Sequence, residues 1–193
     1  MLYCILDGET IKQKNPVKTA RFLFRNGADV VQLRYKNAPS YKLLSIAKKI
    51  AFVAKKNKKI FLINDRPDVA LASGARGVHV GSGDLPIKTI RGLLGLGSTV
   101  GKTVHSAKEA RKTRYEKLDY VSAGPVFSTP LKANLKPKGL GFIKKIKTCV
   151  SHPVFAIGGI NSRNVKAVFA SGADGICVTR SIFKIKKIVK EAL

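Results

Sequence analysis

Short apolar segments rich in valine and isoleucine alternate with segments of helical period along the whole 193-residue chain. Eight alternations occur, a pattern typical of repeated βα units with a parallel sheet. About 24 residues per unit suit a minimal closed barrel. The sequence therefore predicts one domain over residues 1–193, folded as a single (β/α)8 TIM barrel. The expected strands cover residues 3–6, 30–33, 60–63, 77–80, 99–104, 119–123, 153–157 and 175–178.

Helix boundaries support this division. Pro16 is expected to begin the first helix and Pro86 the fourth, while Ser40 and Ser106 precede the second and fifth. Gly-Ala turns recur between a helix and the next strand, at residues 26–29, 73–76 and 171–174. The longest irregular stretch, 128–140, follows the sixth strand, and a loop of that length is a candidate for function.

The chain is strongly basic, with 37 Lys+Arg against 11 Asp+Glu and a formal net charge of +26. Such a charge suits nucleic acid, anionic membrane or anionic small molecules and does not choose among them. Many lysines fall on polar faces of expected helices, in 46–59 and 184–193, as in a solvated helix surface. No RNA-reading aromatic motif accompanies them. Nucleic acid is therefore not the expected partner.

No stretch is long and apolar enough to span a bilayer, and the first residues enter a strand without a leader pattern. Cys4, Cys149 and Cys177 lack the paired spacing of zinc or dithiol sites, which favours free thiols in a reducing compartment. We expect a soluble cytoplasmic protein without a membrane partner. The sequence leaves homo-oligomer formation open.

Two scarce carboxylates, Asp65 and Asp84, each follow an expected strand. Active residues of such barrels collect at the carboxyl ends of the strands, and oxygen ligands among cations suggest a magnesium site for a phosphate substrate. Taken alone, each aspartate is more often a helix cap, with Asp65 capping the helix that begins near Arg66 and Asp84 the one that begins near Pro86. The sequence leaves both interpretations open.

Other polar residues fall at the same end of the expected strands. Gln32, Arg34 and Lys36 share one face of an extended chain, as in a phosphate site or a solvated strand edge. Asn64 offers an amide beside Asp65, although asparagine is also a common turn residue. Thr103 and His105 offer a hydroxyl and an imidazole, where a lone histidine is more often structural.

The later loops carry features of anion binding. Thr129 and Lys132 lie in the long loop, which is either a mobile cover over an anion or a basic surface loop. Gly158 and Gly159 follow the seventh strand and either present backbone amides to a phosphate or form a tight turn. Thr179 and Arg180 follow the eighth strand, and loops after strands seven and eight of such barrels often bind phosphate.

Five stretches, in this order, resemble the thiamine phosphate synthase family over nearly the whole chain. Each is weak alone, but the ordered set is specific. They are Gln32-Leu-Arg with Lys36, Ile63-Asn-Asp-Arg through Asp68-Val-Ala-Leu-Ala-Ser-Gly, Gly77-Val-His-Val-Gly with Asp84-Leu-Pro, Asp119-Tyr-Val with Gly124-Pro-Val-Phe, and Ala156-Ile-Gly-Gly-Ile.

The resemblance implies a TIM-barrel transferase that joins hydroxymethylpyrimidine diphosphate to a carboxylated thiazole phosphate, giving thiamine phosphate, diphosphate and carbon dioxide. It implies Mg²⁺ as cofactor, held by Asp65 and Asp84. The residues implied for the pyrimidine diphosphate are Gln32, Arg34, Lys36, Asn64 and Lys132. Those implied for the thiazole phosphate are Thr129, Gly158, Gly159, Thr179 and Arg180. Those implied in catalysis are Arg34, Lys36, Asn64, Thr103 and Lys132, and Thr103 is also implied in substrate binding.

This chain departs from the family pattern at three positions. Thr103 stands where members commonly have serine, which keeps the hydroxyl. Leu131 replaces the second threonine of a Thr-x-Thr-Lys pattern and cannot donate a hydrogen bond to phosphate. Arg180 stands where many members have serine, and we expect its guanidinium to offset that loss by pairing with the phosphate.

Two other functions stay open at this point. The related thiazole tautomerase shares the barrel and uses a histidine at the position of His105, but that branch tends to lose the second metal carboxylate, and this chain keeps Asp84. A barrel whose catalysis has decayed and whose basic surface binds nucleic acid would show steeply salt-dependent binding.

Overall fold

The computed structural model describes residues 1–192, and the side chain of Lys132 lies outside the described residues. Eight strands form a closed parallel barrel in chain order. All eight expected strands are present within one residue at each end, so the predicted (β/α)8 TIM barrel is confirmed. The strands are β1 (Leu2–Asp7), β2 (Val30–Arg34), β3 (Ile60–Asn64), β4 (Gly77–Val80), β5 (Thr99–Val104), β6 (Tyr120–Ala123), β7 (Val154–Ile157) and β8 (Gly175–Val178).

Helices alternate with the strands around the barrel. They are α1 (Gly8–Ile11), α2 (Pro16–Arg25), α3 (Ser40–Lys56), α4 (Pro67–Ser73), α5 (Ile87–Leu94), α6 (Ala107–Thr113), α7 (Leu140–Lys147), α8 (Val165–Ala170) and α9 (Ile185–Ala192). The expected starts at Pro16 and after Ser106 are confirmed, and Ser106 accepts the Glu109 N–H as a cap. The α3 helix begins at Ser40 itself, whereas α5 begins one residue after Pro86. The short helix α1 was not predicted.

Neither of the two aspartates caps a helix, so that interpretation is wrong. The N-cap residue of α4 is Arg66 and that of α5 is Pro86, and neither cap makes a side-chain hydrogen bond. Asp65 adopts a left-handed conformation, with φ of 62°. Asp84 instead accepts a hydrogen bond from the Gly81 N–H at 2.6 Å, which closes the loop after β4.

The core has two layers, which follow from the alternation of side chains along each strand. In β1, Leu2, Cys4 and Leu6 pack outward against the helices, while Tyr3 and Ile5 belong to the smaller cluster inside the barrel. The inward series continues to the last residue of β1, which therefore lies at the mouth of the barrel. Strand ends thus position polar side chains around one opening.

The three cysteines are buried and free, as expected. No helix within residues 1–192 combines the length and apolar character needed to cross a membrane.

Candidate active site

Asp65 and Asp84 lie together at the carboxyl ends of the adjacent strands β3 and β4. The backbone holds Asp65 in place, because its N–H donates to the His79 carbonyl at 2.9 Å. Burial raises the pKa of Asp65 above its ordinary value of 3.8, and the hydrogen bond and charge of Asp84 raise it further. Lys36 partly opposes these effects, with Nζ 3.4 Å from Asp65 Oδ2. Two neighbouring carboxylates repel each other when both are charged, and a bound cation would offset that repulsion.

Asp65 and Asp84 suit Mg²⁺ better than they suit a metal ion whose ligands all come from protein side chains. Within residues 1–192 no group of three or more His, Cys, Asp or Glu side chains could hold a metal ion. Mg²⁺ is usually bound by one or two carboxylates, with waters and substrate phosphates as the other ligands. Asp65 and Asp84 supply such a set, with Lys36 beside it for an anion.

The face of β2 predicted to carry an amide and cations turns toward the same opening. Gln32 is 1% exposed, and its Nε2 has no hydrogen-bond partner. A buried donor without a partner is unfavourable unless a ligand completes it. Arg34 is paired with Asp7, the last residue of β1, through Nη1 and Oδ2.

A cavity of about 390 Å³ occupies the mouth of the barrel beside this cluster. It is lined by many of the residues predicted for the site, namely Arg34, Thr103, His105, Thr129, Gly158, Gly159, Thr179 and Arg180. Leu131, the departure in the long loop, also lines it. The carboxylate pair does not line this cavity. The opening is therefore divided between a cavity under the loops after β6, β7 and β8 and a polar cluster after β2, β3 and β4.

Backbone hydrogen bonds join the loops after β6 and β7. The N–H groups of Val126 and Phe127 donate to the carbonyls of Ile157 and Gly158 at 2.8 and 3.0 Å. Gly159 has φ of 67°, and a Cβ there would lie 2.6 Å from the Ser128 carbonyl oxygen. Only glycine fits this close approach, which holds the loop with its backbone against the cavity.

Thr103 ends a chain of polar groups inside the barrel. Its hydroxyl lies 2.8 Å from His79 Nε2 and 3.0 Å from the Ser122 hydroxyl. The other ring nitrogen of His79 lies 2.8 Å from the Tyr120 hydroxyl, which is 3.0 Å from that of Tyr3. These contacts fix the direction of the Thr103 side chain at the cavity wall.

His105 is held by its Nδ1, which lies 2.8 Å from the Gly124 carbonyl oxygen. A carbonyl only accepts, so Nδ1 carries the proton and Nε2 is the basic nitrogen of the neutral ring. Because His105 lines the cavity, the ring is available to a bound molecule.

The structure brings most predicted residues to one opening and adds one that the sequence analysis missed. Asn64 ends β3 directly before Asp65. The Lys132 side chain lies outside the described residues, so its predicted role stays a prediction. Asp7 was missed, although it carries the signal that identified Asp65 and Asp84, an acid at or shortly after the end of an apolar strand.

Known proteins resemble this chain along nearly its whole length. A model of the family described as thiamine monophosphate synthase matches residues 2–182. A thiamine-phosphate synthase of Caldanaerobacter subterraneus subsp. tengcongensis is 41% identical over 94% of this chain and 86% of its own. One from Methanoculleus marisnigri is 40% identical over the same shares of the two chains, 94% and 86%.

A solved structure agrees with the sequence matches. The thiamine phosphate pyrophosphorylase of Pyrococcus furiosus has a TM-score of 0.88 and 33% identity, over 99% of this chain and 94% of that chain. On the match of the family model and of these relatives, the chain belongs to the thiamine monophosphate synthase family.

Proposed function

We propose that this barrel forms thiamine phosphate by joining hydroxymethylpyrimidine diphosphate to a carboxylated thiazole phosphate, with release of diphosphate and carbon dioxide. Membership of the family makes the chain a transferase that acts on small phosphate substrates. The observation that carries the more detailed proposal is the contact of Asp65 with Asp84 beside Lys36. We also assign the reaction to the cytoplasm, in keeping with three free cysteines.

The pyrimidine diphosphate is assigned to the polar cluster after β2, β3 and β4. Arg34 and Lys36 supply positive charge for the diphosphate, and Lys132 is proposed to add a third cation. The unpartnered Nε2 of Gln32 and the amide of Asn64 suit acceptor atoms of the pyrimidine ring. Asp65 and Asp84 would hold the Mg²⁺ ion.

Electrostatic stabilisation of the leaving group accounts for catalysis without a protein nucleophile. Breaking the methylene–oxygen bond places negative charge on the departing diphosphate, and Arg34 and Lys36 are assigned to stabilise that charge. Held by Asp65 and Asp84, Mg²⁺ would supply Lewis-acid neutralisation of the same charge. The thiazole nitrogen then captures the pyrimidine carbocation, the carboxylate leaves the thiazole ring as carbon dioxide, and the ring carbon takes up a proton. The Thr103 hydroxyl, which His79 fixes in place, is assigned to contact the reacting groups.

The thiazole phosphate is assigned to the loops after β6, β7 and β8. Gly158 and Gly159 would offer backbone N–H groups, and Thr129 and Thr179 their hydroxyls. Arg180 and Leu131 both line the cavity, and the Leu131 side chain has no group that could donate a hydrogen bond to a phosphate. A guanidinium can form two charge-assisted hydrogen bonds to a phosphate, which compensates for the missing threonine.

Isomerisation of the thiazole carboxylate is the second candidate, because His105 lines the cavity with Nε2 as its basic nitrogen. A general base at that position would move a proton on a bound thiazole without using the carboxylate pair. The contact between Asp65 and Asp84 has no role in such a reaction and favours the synthase.

An assay that follows thiamine phosphate and the thiazole isomers separately distinguishes the two candidates. With both substrates and Mg²⁺, the wild-type protein is expected to form thiamine phosphate, and Asp84→Ala to reduce this by about 100-fold or more. Asp68→Ala is the matched control, since Asp68 pairs with Arg66 on the surface and should leave the rate unchanged.

Isomerisation without condensation, abolished by His105→Ala, would contradict the synthase and support the tautomerase. Replacement of Arg180 tests the thiazole phosphate site in the same assay. Arg180→Ala should raise the KM for the thiazole phosphate, and an unchanged KM would refute that role.

A further inference from the structure

Asp7 is a buried carboxylate at the mouth of the barrel to which the proposed chemistry assigns no role. It is the last residue of β1 and is 1% exposed. In the register of β1 with β2 it lies opposite Arg34. A buried carboxylate is unfavourable unless it is paired and hydrogen-bonded, so its partners indicate what it does.

The two oxygens of Asp7 have different partners. Oδ1 accepts the backbone N–H groups of Glu9 and Thr10 at 3.1 Å each, and the Thr10 hydroxyl lies 3.3 Å away. Asp7 is therefore the N-cap of α1. Oδ2 accepts a hydrogen bond from Nη1 of Arg34. The cap fixes the carboxylate, and the carboxylate in turn fixes one edge of the guanidinium.

Arg34 has donors left for a ligand after this pairing. Among the described residues, Asp7 is its only hydrogen-bond partner, and the Arg34 side chain is 34% exposed. Asp7 and Arg34 line the cavity of about 390 Å³ and also a second cavity of about 270 Å³, which Lys36 and Lys42 line too. The pair thus forms a shared wall between the two spaces, with guanidinium N–H groups available at the opening.

We propose that Asp7 is a positioning residue that acts through Arg34. It holds the guanidinium so that the free N–H groups meet the departing diphosphate. This inference rests on the proposed function, which assigns Arg34 to the diphosphate. The charge of Asp7 alone would repel that anion. Its benefit is therefore expected in the transition state, where orientation matters most, rather than in substrate binding.

The substitution Asp7→Asn separates the two contacts. The amide oxygen keeps the cap of α1, while the amide nitrogen donates and cannot accept from Arg34. We expect kcat for condensation to fall by about 10- to 100-fold. The KM for the pyrimidine diphosphate should change by less than about threefold. The unfolding temperature should stay near that of the wild-type protein because the cap remains.

A double-mutant cycle shows whether the effect passes through Arg34. If it does, Asp7→Asn combined with Arg34→Ala should be no slower than Arg34→Ala alone. Additive losses would overturn the inference, as would a wild-type kcat in Asp7→Asn where Arg34→Ala is impaired. Arg34→Ala with unchanged kcat and KM would instead remove the assignment of Arg34 in the proposed function, and this inference with it.

Two further variants guard against a general structural effect. Asp7→Ser keeps a residue that can cap α1 but has no charge to pair with Arg34. It replaces Asp7→Asn as the test if that variant does not fold, and it should show the same loss of kcat. Asp174→Asn removes a carboxylate that pairs with Lys147 at the opposite end of the barrel. It should keep the wild-type kcat, and an equal loss there would overturn the inference.

Discussion

At the scale of single residues, Tyr120 links two polar groups inside the barrel. Its hydroxyl lies 3.0 Å from the Tyr3 hydroxyl and 2.8 Å from His79 Nδ1. Burial raises the pKa of both tyrosines well above 10, so both rings stay neutral. A hydroxyl in this position is needed because its neighbours are buried donors and acceptors.

We expect Tyr120→Phe to lower the free energy of unfolding by about 1–3 kcal/mol, because it removes a hydrogen-bonding group between two buried polar side chains. Urea denaturation followed by circular dichroism measures this loss. Tyr115, which is 88% exposed, gives the matched control, and Tyr115→Phe should change nothing. Equal stabilities of the two variants would contradict the account.

Single residues also show where the sequence was sufficient and where it was not. An acid or cation at the end of an apolar strand was enough to place Arg34, Asp65 and Asp84 at one opening. The same signal at Asp7 was overlooked, since its role depends on the register that sets β1 beside β2. The sequence also could not show that Asp84 closes its own loop instead of capping α5, because capping and loop closure use the same residue type.

At the scale of elements, the loop after β7 is fixed by its contact with the loop after β6. Gly159 and Gly74 have similar φ angles, 67° and 71°, but a Cβ on Gly74 would meet no atom within 4 Å. These two glycines therefore separate the effect of backbone strain from that of crowding.

Gly159→Ala is expected to raise the KM for the thiazole phosphate by about tenfold or more, because the new methyl must displace the loop that carries the proposed phosphate amides. Gly74→Ala should cost about 1 kcal/mol of stability and leave the KM unchanged. Steady-state kinetics on both variants provides the test. Equal effects on KM would show that crowding at Gly159 has no consequence for binding.

A second recurrent element lies at the amino-terminal end of the barrel. Asp29, Asp119 and Asp174 each lie directly before a strand. Each accepts a hydrogen bond from a backbone N–H near the start of the strand one earlier in the chain, and each forms an ion pair with a lysine or arginine. Two of these close the Gly-Ala turns that the sequence identified. The turns were predicted from glycine chemistry, whereas the aspartate clamps needed the strand pairing and were not predicted.

Asp174 gives this element a testable pH dependence. Burial alone would raise the pKa of Asp174, but hydrogen bonds from Lys147 and the Val154 N–H outweigh burial and hold it below its ordinary value of 3.8. A lowered folded-state pKa adds stability above pH 3.8 that disappears as the pH falls through the folded-state pKa.

Asp174→Asn should therefore be less stable than the wild-type protein near neutral pH, by at most about 1 kcal/mol because the pair is partly exposed. The difference should shrink toward zero in strong acid. Urea midpoints measured across the acid range test this, and a difference independent of pH would contradict it.

At the scale of the whole molecule, cations greatly outnumber the acids that could pair with them. Eight ion pairs within residues 1–192 use eight of the 11 acidic residues, so most of the 37 cations lack a carboxylate partner. A positive field of this kind attracts anionic substrates over distances set by salt screening. It would also attract nucleic acid weakly and without sequence preference.

Raising the ionic strength from about 0.05 to 0.5 M should lower kcat/KM for the diphosphate substrate by about 3- to 10-fold, with little change in kcat, because screening acts on encounter. Stopped-flow or steady-state kinetics at low substrate concentration measures this change. A salt-independent kcat/KM would show that the surface charge does not steer the substrate.

The fold of the whole molecule was predictable because its signal repeats eight times along the chain, so that an error in one unit does not change the result. The shape of the opening was not predictable. Arg34 and Thr129 both carry plausible anion chemistry in the sequence, but only the closed barrel shows that both line one cavity, which Asp65 and Asp84 do not line.

The most direct test of the account is the rate of thiamine phosphate formation as a function of Mg²⁺ concentration in the wild-type protein, Asp84→Asn and Asp68→Asn. We predict that condensation needs Mg²⁺, that Asp84→Asn requires at least about tenfold more Mg²⁺ for half-maximal rate, and that Asp68→Asn matches the wild-type protein. Full activity in the presence of a chelator, or an unchanged Mg²⁺ requirement in Asp84→Asn, would contradict the assignment of the carboxylate pair.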